Sequence, residues 1–275
     1  MDEAGRVAQV TALFDRVAAT YDTTGHPWFV PIAEALVAEV APRPGERVLD
    51  IGTGKGAALW AAAAAVGPTG RAVGIDLAPG MVAAAREEAV RRNVPVRIDL
   101  GDATRPAADL GPVDVIVSSL VLFFLPDPAA ALRRWADLLD GGGRIGVATF
   151  GPRSAVWEQL DHLFDPYLPP QMLDARTSGA RGPFASDAGV EGLLADGGLV
   201  DVRTSHVEQR LTLADVGEWR RWSSSHGQRG MWDAVGDAAD EVLAAAAPLL
   251  EAAGDGRACT LVQDVRLTIG YRSTP

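Results

Sequence analysis

Arg47-Val48-Leu49-Asp50-Ile51-Gly52-Thr53-Gly54-Lys55-Gly56-Ala57 decides how the rest of the chain is read. Val48, Leu49 and Ile51 supply the apolar run of a short buried strand. Gly52, Gly54 and Gly56 then stand at alternate positions. They permit a tight turn and let a ligand lie against backbone with no side chain in the way. A helix starting near Ala57 and running to Val66 points its first N–H groups at that ligand. Such a terminus favours a carboxylate or a phosphate.

The glycines alone do not choose the ligand, because Gly52-x-Gly54-x-x-Ala57 also fits a dinucleotide turn. Asp50 discriminates. A carboxylate two residues before the first glycine repels a pyrophosphate and suits a ligand carrying an ammonium group beside a carboxylate. Asp-x-Gly-x-Gly-x-Gly is the glycine-rich motif of the class I S-adenosylmethionine-dependent methyltransferases, and on it the chain resembles that family. The methionine part of S-adenosyl-L-methionine carries both groups. The resemblance implies that Asp50, Gly52, Thr53, Gly54 and Gly56 bind this cofactor.

Composition narrows the class of function. The chain has 275 residues, 48% of them apolar, enough for a large core. A net charge of −11 with no basic stripe speaks against a nucleic-acid or anionic-membrane partner. Apolar runs are broken by charge or proline well short of the ~18 residues a span requires. Met1-Asp2-Glu3 lacks the basic start of a signal peptide. The single cysteine, Cys259, excludes an internal disulfide framework, and no histidine–carboxylate spacing predicts a metal site. The expectation is a cytoplasmic protein, monomer or homodimer, acting on a small molecule.

Read in order, the chain alternates strands and helices. Val7, Val10, Phe14, Val17 and Tyr21 form one helical stripe, which by itself predicts a helix packed at the sheet edge. Phe14-Asp15-Arg16-Val17-Ala18-Ala19-Thr20-Tyr21-Asp22 resembles the segment that opens the ubiquinone/menaquinone-type methyltransferases and their small-molecule relatives. The resemblance implies that it folds over the cofactor and that Tyr21 touches it. A helix follows over Phe29 to Val40, before the first strand. Further strands are predicted over Arg71–Leu77, Pro95–Leu100, Val113–Leu120 and Arg144–Phe150, with helices to Arg92 and Leu139 between them. Gly141-Gly142-Gly143 is expected to stop the latter helix.

Asp76 ends the second strand, where a carboxylate can accept from both hydroxyls of a ribose or cap the next helix. The resemblance adds Leu77 and Met81 beside the adenosine. It adds Gly101, Asp102 and Ala103, where the acid accepts from the adenine amino group and the next N–H meets a ring nitrogen. It also adds Ser119 and Leu120 along the methionine and adenine. Gly52, Asp76, Asp102 and Ser119 all fall at strand C-termini, where an open parallel sheet binds its ligand.

Phe123 and Phe124 depart from the family, in which many members carry histidines or an Arg-Asn pair there. They predict an apolar substrate pocket or plain packing, and argue against a quinone methyltransferase proper. Beyond Phe150, a helix over Ser154–Phe164, a loop over Pro166–Pro183, a helix over Gly189–Ala195 and a strand over Leu199–Val207 are expected. The segment around Trp219 and Trp222, then a helix over Met231–Ala253, precede a closing strand over Ala258–Tyr271. Trp219, Trp222 and Trp232 either anchor this lid or touch substrate. Trp222 and Arg229 are placed at the substrate pocket.

The fold expected is α/β and Rossmann-like, a doubly wound, mostly parallel seven-stranded sheet with a helical N-terminal cap and a helical lid. Residues 1–45 are the cap, 46–150 the cofactor-binding core, and 151–275 the end of the sheet with the lid at about 151–185 and 211–255, in one domain. The reaction expected is methyl transfer from S-adenosyl-L-methionine to a small, fairly apolar metabolite of secondary metabolism, with oxygen slightly favoured as acceptor. His226 is the first choice for a general base and His26 the second. The sequence leaves two rivals: a relative that keeps the cofactor but cyclises or merely binds its ligand, and a nicotinamide-dependent oxidoreductase.

Overall fold

Burial along the first strand is continuous: Val48, Leu49, Asp50 and Ile51 are all inaccessible, because neighbours cover both faces. The computed structural model describes residues 3–169, 182–254 and 258–274. In it, helix α1 (Glu3–Val17) and helix α2 (Phe29–Val40) precede strand β1 (Arg47–Ile51). Alternation follows through α3 (Ala57–Val66), β2 (Arg71–Asp76), α4 (Pro79–Arg92), β3 (Arg97–Leu100) and β4 (Val113–Ser119). Then come α5 (Pro128–Asp137), β5 (Leu139–Arg153), α6 (Ala155–His162), α7 (Asp187–Asp196) and β6 (Leu199–Leu213). Helices α8 (Val216–Ser223), α9 (Arg229–Val235) and α10 (Ala239–Ala253) lead to β7 (Cys259–Arg272).

The seven strands form one sheet in the order β3-β2-β1-β4-β5-β7-β6. All neighbours pair parallel up to β5, and β7 enters antiparallel between β5 and β6. The strand order reverses between β1 and β4, so a crevice opens above the C-terminal ends of these two strands.

Local chemistry sets the boundaries. Asp127 accepts from the Ala130 N–H at 2.8 Å and caps α5, and Asn93 ends α4 in the left-handed region at φ +52°. The triple glycine does not stop α5, which already ends at Asp137. It fills an irregular stretch of β5 where pairing jumps from Val113↔Leu139 to Val115↔Arg144. Two expectations on the lid change. The Met231–Ala253 helix is broken into α9 and α10 by a turn of 3₁₀ helix at Gly236–Ala238, with Gly236 at φ +56°. Strand β6 runs on to Leu213, because β7 offers a pairing partner along its whole length. Residues 170–181 of the expected 166–183 loop lie outside the described residues.

Helices α6, α8 and α10 pack on one another, and α9 meets α1. Their tryptophans anchor them by burial: Trp219 stacks edge-on against Trp232 at 5.3 Å and Trp222 against Trp28 at 5.5 Å. Among the described residues no helix is long and apolar enough to cross a membrane, and no cluster fit to hold a metal ion occurs.

Candidate active site

The glycine loop is shaped by the neighbouring strand. Gly52 and Thr53 donate their N–H groups to the Ile75 carbonyl at 2.8 and 2.9 Å, and Gly54 donates to Asp76 Oδ2 at 2.8 Å. Gly52 sits at φ +74°, and a Cβ there would meet Val121 at 2.4 Å, so packing as well as conformation demands glycine. Gly54, at φ +53°, has nothing within 4 Å of where its Cβ would stand, so its bare face opens on the crevice. Gly56 does not line the crevice: a Cβ there would strike the Trp60 ring at 2.5 Å.

Asp76 joins the loop to the start of α4. Its second oxygen, Oδ1, accepts from the Ala78 N–H at 2.9 Å. The helix-capping and ligand-binding readings of Asp76 are therefore compatible, since each carboxylate oxygen retains a further lone pair. Burial raises the Asp76 carboxyl above its ordinary range, against the pull of its backbone donors.

Asp50 is 1% exposed and accepts from Thr53 Oγ1 at 2.7 Å. Burial, with Asp76 nearby, pushes its carboxyl up to about 7. A carboxyl in this state lacks a cation, and an ammonium group placed against it would restore the charged form.

The N-terminal segment closes the crevice. Asp15 Oδ1 accepts from the Gly80 N–H at 2.6 Å and so docks α1 on the first turn of α4. Asp22, at φ +54°, accepts from the Trp28 N–H at 2.8 Å and turns the chain into α2. Tyr21 lies between, stacked on Phe29 at 4.5 Å. Burial, with Asp22 and Asp76 nearby, raises its hydroxyl pKa well above the usual value. Lys55 Nζ donates to the Tyr21 carbonyl at 3.0 Å and ties this segment to the glycine loop.

Two adjoining cavities share Tyr21, Gly52, Gly54 and Ser119. The first brings together Asp76, Leu77, Met81, Gly101, Asp102, Ala103, Leu120 and Phe124. Within it, Asp102 Oδ1 accepts from both the N–H and the hydroxyl of Thr104, each at 2.8 Å. Leu120 holds φ +60°, an unfavourable conformation for a leucine, at the end of β4 where it lines this cavity. The second cavity holds Asp50, Thr53 and Lys55. Sequence reasoning missed Thr11 and Thr104 on the first cavity and Trp60 on the second, and it left Lys55, unusual in the glycine turn, without a role. It also treated Val7 and Val10 only as part of a packing stripe, although with Phe14 they roof the first cavity. The apolar periodicity was the available signal.

Other expected site residues lie elsewhere. Phe123 is core, stacked with Phe150 at 5.5 Å, whereas Phe124 faces the cavity and meets Phe14 edge-on at 5.3 Å. Trp222 is buried against Trp28 and Trp157, and Arg229 pairs on the surface with Asp233 at 2.8 Å. His26 pairs with Glu218 at 2.9 Å. His226 is buried edge-on against Trp222 at 4.4 Å and Phe29 at 5.4 Å, and its Nε2 has no hydrogen-bond partner. Burial lowers His226 to about 3, which makes it a weak base. Phe123, Trp222, Arg229, His26 and His226 line neither cavity. His206 lies between Asp264 at 2.7 Å and Asp187 at 3.0 Å.

A family model described as a methyltransferase domain matches residues 48–143. Nocamycin O-methyltransferase of Saccharothrix syringae is 36% identical to this chain over 235 residues, covering 81% of this chain and 84% of that protein. Aklanonic acid methyltransferase DauC of a Streptomyces species (strain C5) is 40% identical over 175 residues, 63% of this chain and 80% of that protein. Among solved structures, the cyclase SpnF matches with a TM-score of 0.60 over 97% of each chain at 18% identity, a likeness of fold alone. The chain belongs to the class I S-adenosylmethionine-dependent methyltransferases. It is an enzyme of that class, with S-adenosyl-L-methionine as its cofactor. The crevice fits this cofactor: Asp50 lacks a cation, Asp76 keeps lone pairs to accept from hydroxyls, and the Gly54 face is open.

Proposed function

We propose that the enzyme methylates an acidic oxygen of a small, fairly apolar natural product. The observation that carries this reading is the make-up of the two cavities. Their walls hold carboxylates, hydroxyls, Lys55, Arg92 and apolar or aromatic side chains, with no histidine. A neutral alcohol or a protonated amine would need a base to take its proton, whereas a carboxylic acid, an acidic enol of a 1,3-dicarbonyl or an acidic phenol is largely ionised near neutral pH. The names of the relatives run the same way: one is an O-methyltransferase and another acts on an acid.

In this reading Asp50, Gly52, Thr53, Gly54 and Ser119 hold the methionine end of the cofactor. Asp76, Leu77, Met81, Gly101, Asp102, Ala103 and Leu120 hold the adenosine, and Tyr21 covers the junction. Bound S-adenosylmethionine supplies a methyl group on a cationic sulfur. The chain contributes position and exclusion of water: α1 and the Phe14–Phe124 pair close an apolar wall, in which holding the acceptor at about 3–3.5 Å supplies much of the rate. His226 and His26 stand as positions of the cap–lid contact. The setting is a cytoplasmic enzyme, monomer or homodimer, that works on free small molecules rather than nucleic acid, in keeping with its charge of −11.

The test is incubation with methyl-labelled cofactor and a panel of aromatic carboxylic acids, enols, phenols and amines. Label in the acids, released by mild alkali as from a methyl ester, supports the reading. Label in amines only would overturn the choice of oxygen. A changed acceptor without label or S-adenosylhomocysteine would mean a cyclisation instead.

A further inference from the structure

Lys55 is the only lysine in the chain, and it stands inside the glycine loop. Its ammonium group has three N–H donors, of which one goes to the Tyr21 carbonyl at 3.0 Å. The side chain lines the second cavity together with Asp50. Among the described residues no carboxylate forms an ion pair with Lys55, and the nearby Asp22 directs Oδ1 to the Trp28 N–H. Partial burial pushes the Lys55 ammonium below its usual pKa, with Asp22 pulling the other way. One cavity thus carries a carboxyl without an ion pair, Asp50, and a cation without one, Lys55, which do not touch each other, while the cavity's other cation, Arg92, is paired with Glu88. That pattern is complementary to a zwitterion, with its ammonium toward Asp50 and its carboxylate toward Lys55.

We propose that Lys55 recognises the α-carboxylate of the cofactor while gripping the Tyr21 carbonyl, so that the carboxylate and the closed N-terminal cap reinforce each other. The proposal rests on the reading of this cavity as the methionine end. Lys55 is here a specificity-determining residue: it makes the enzyme select a ligand with an intact amino-acid terminus. A cap bound only by apolar contacts would not distinguish that ligand from its decarboxylated form.

Calorimetry with S-adenosylmethionine and with decarboxylated S-adenosylmethionine tests this on the wild type, Lys55→Met and Lys55→Arg. Losing the grip on Tyr21 weakens both ligands alike, so the decisive quantity is the ratio between them. Lys55→Met should lower affinity for the carboxylate-bearing ligand at least tenfold more than for the decarboxylated one, and Lys55→Arg should restore most of the difference. An equal loss for both ligands, or none, overturns the proposal. Should Lys55→Met fold poorly, reductive ¹³C-methylation of the wild type labels Lys55 and the N-terminal amine alone. The dimethyl-lysine resonance and its pKa should then move with S-adenosylmethionine and not with the decarboxylated ligand, and identical responses would again count against it. A wild type that binds neither ligand would instead sink the assignment of the cavity itself.

Discussion

The carboxylate of Asp76, at the end of β2, accepts the backbone N–H of Gly54, in the loop after β1, at 2.8 Å. One side chain therefore shapes the glycine loop and faces the ligand crevice. Asp76→Ala leaves the Gly54 and Ala78 N–H groups without their acceptor. It should cost about 1–3 kcal/mol of stability by thermal melting and weaken cofactor binding at least tenfold by calorimetry. Lowered stability with unchanged affinity would confine Asp76 to a role in the fold.

Asp50 makes both stability and binding depend on pH. Its folded pKa of about 7 lies above the unfolded value of about 3.9. Between those values the native state binds the extra proton, so this group makes the free enzyme less stable as pH rises through the window. A cationic ligand group reverses the preference, so cofactor affinity should rise with pH and level off above about 7, with release of a proton. Calorimetry in two buffers of different ionisation enthalpy measures that proton. Asp50→Asn should bind weakly and show no such pH dependence, and a proton count of zero for the wild type would remove Asp50 from the ammonium site.

His226 acts in the opposite sense on stability. Burial lowers its folded pKa to about 3, below the unfolded value of about 6.5, so its contribution is complete above 6.5 and is lost as pH falls toward 3. His226→Phe removes the unpartnered Nε2, gives up only a long bond from the Gln228 N–H to Nδ1 at 3.4 Å, and keeps an aromatic ring between Trp222 and Phe29. The variant should melt at the same or a higher temperature, lose part of the wild type's sensitivity between pH 4 and 6.5, and keep turnover within about threefold. A large fall in turnover with intact cofactor binding would restore His226 as the base.

Asp15 tests whether the cap gates the cofactor. Its bond to the Gly80 N–H at 2.6 Å is an exposed cap interaction worth about 1 kcal/mol. Asp15→Ala should speed cofactor release severalfold with little change in the rate of the chemical step. Stopped-flow tryptophan fluorescence reads this, since Trp60 lines the second cavity. An unchanged release rate would mean that α1 only packs.

Much of the fold was legible because its signals are local. Apolar runs ended by glycine, proline or a capping aspartate marked β1, β2, β4 and α2 closely, and their alternation predicted a parallel sheet. The boundaries that moved were those set by a distant partner. Strand β6 continues to Leu213 because Cys259 and its neighbours pair with it, and α5 ends before the glycines that were expected to stop it. The cofactor-side candidates were legible for a related reason. Their place at strand ends follows from chain order in an open parallel sheet, and Asp50, Asp76, Asp102 and Ser119 duly line the cavities.

The acceptor-side candidates were not legible, and Phe123 and Phe124 show why. Adjacent in sequence and identical in type, one turns into the core and the other toward Phe14, according to the turn that follows β4. The amino-acid sequence by itself determined the sheet, the glycine loop and the row of acids along it, since these depend on residues near one another in the chain. Only the tertiary structure decided that Lys55 reaches the Tyr21 carbonyl, that Asp15 docks the cap on Gly80, and that His226 is sealed among aromatic rings. Those outcomes depend on burial and on contacts between segments far apart in sequence, and both are properties of the packed chain rather than of any stretch of it.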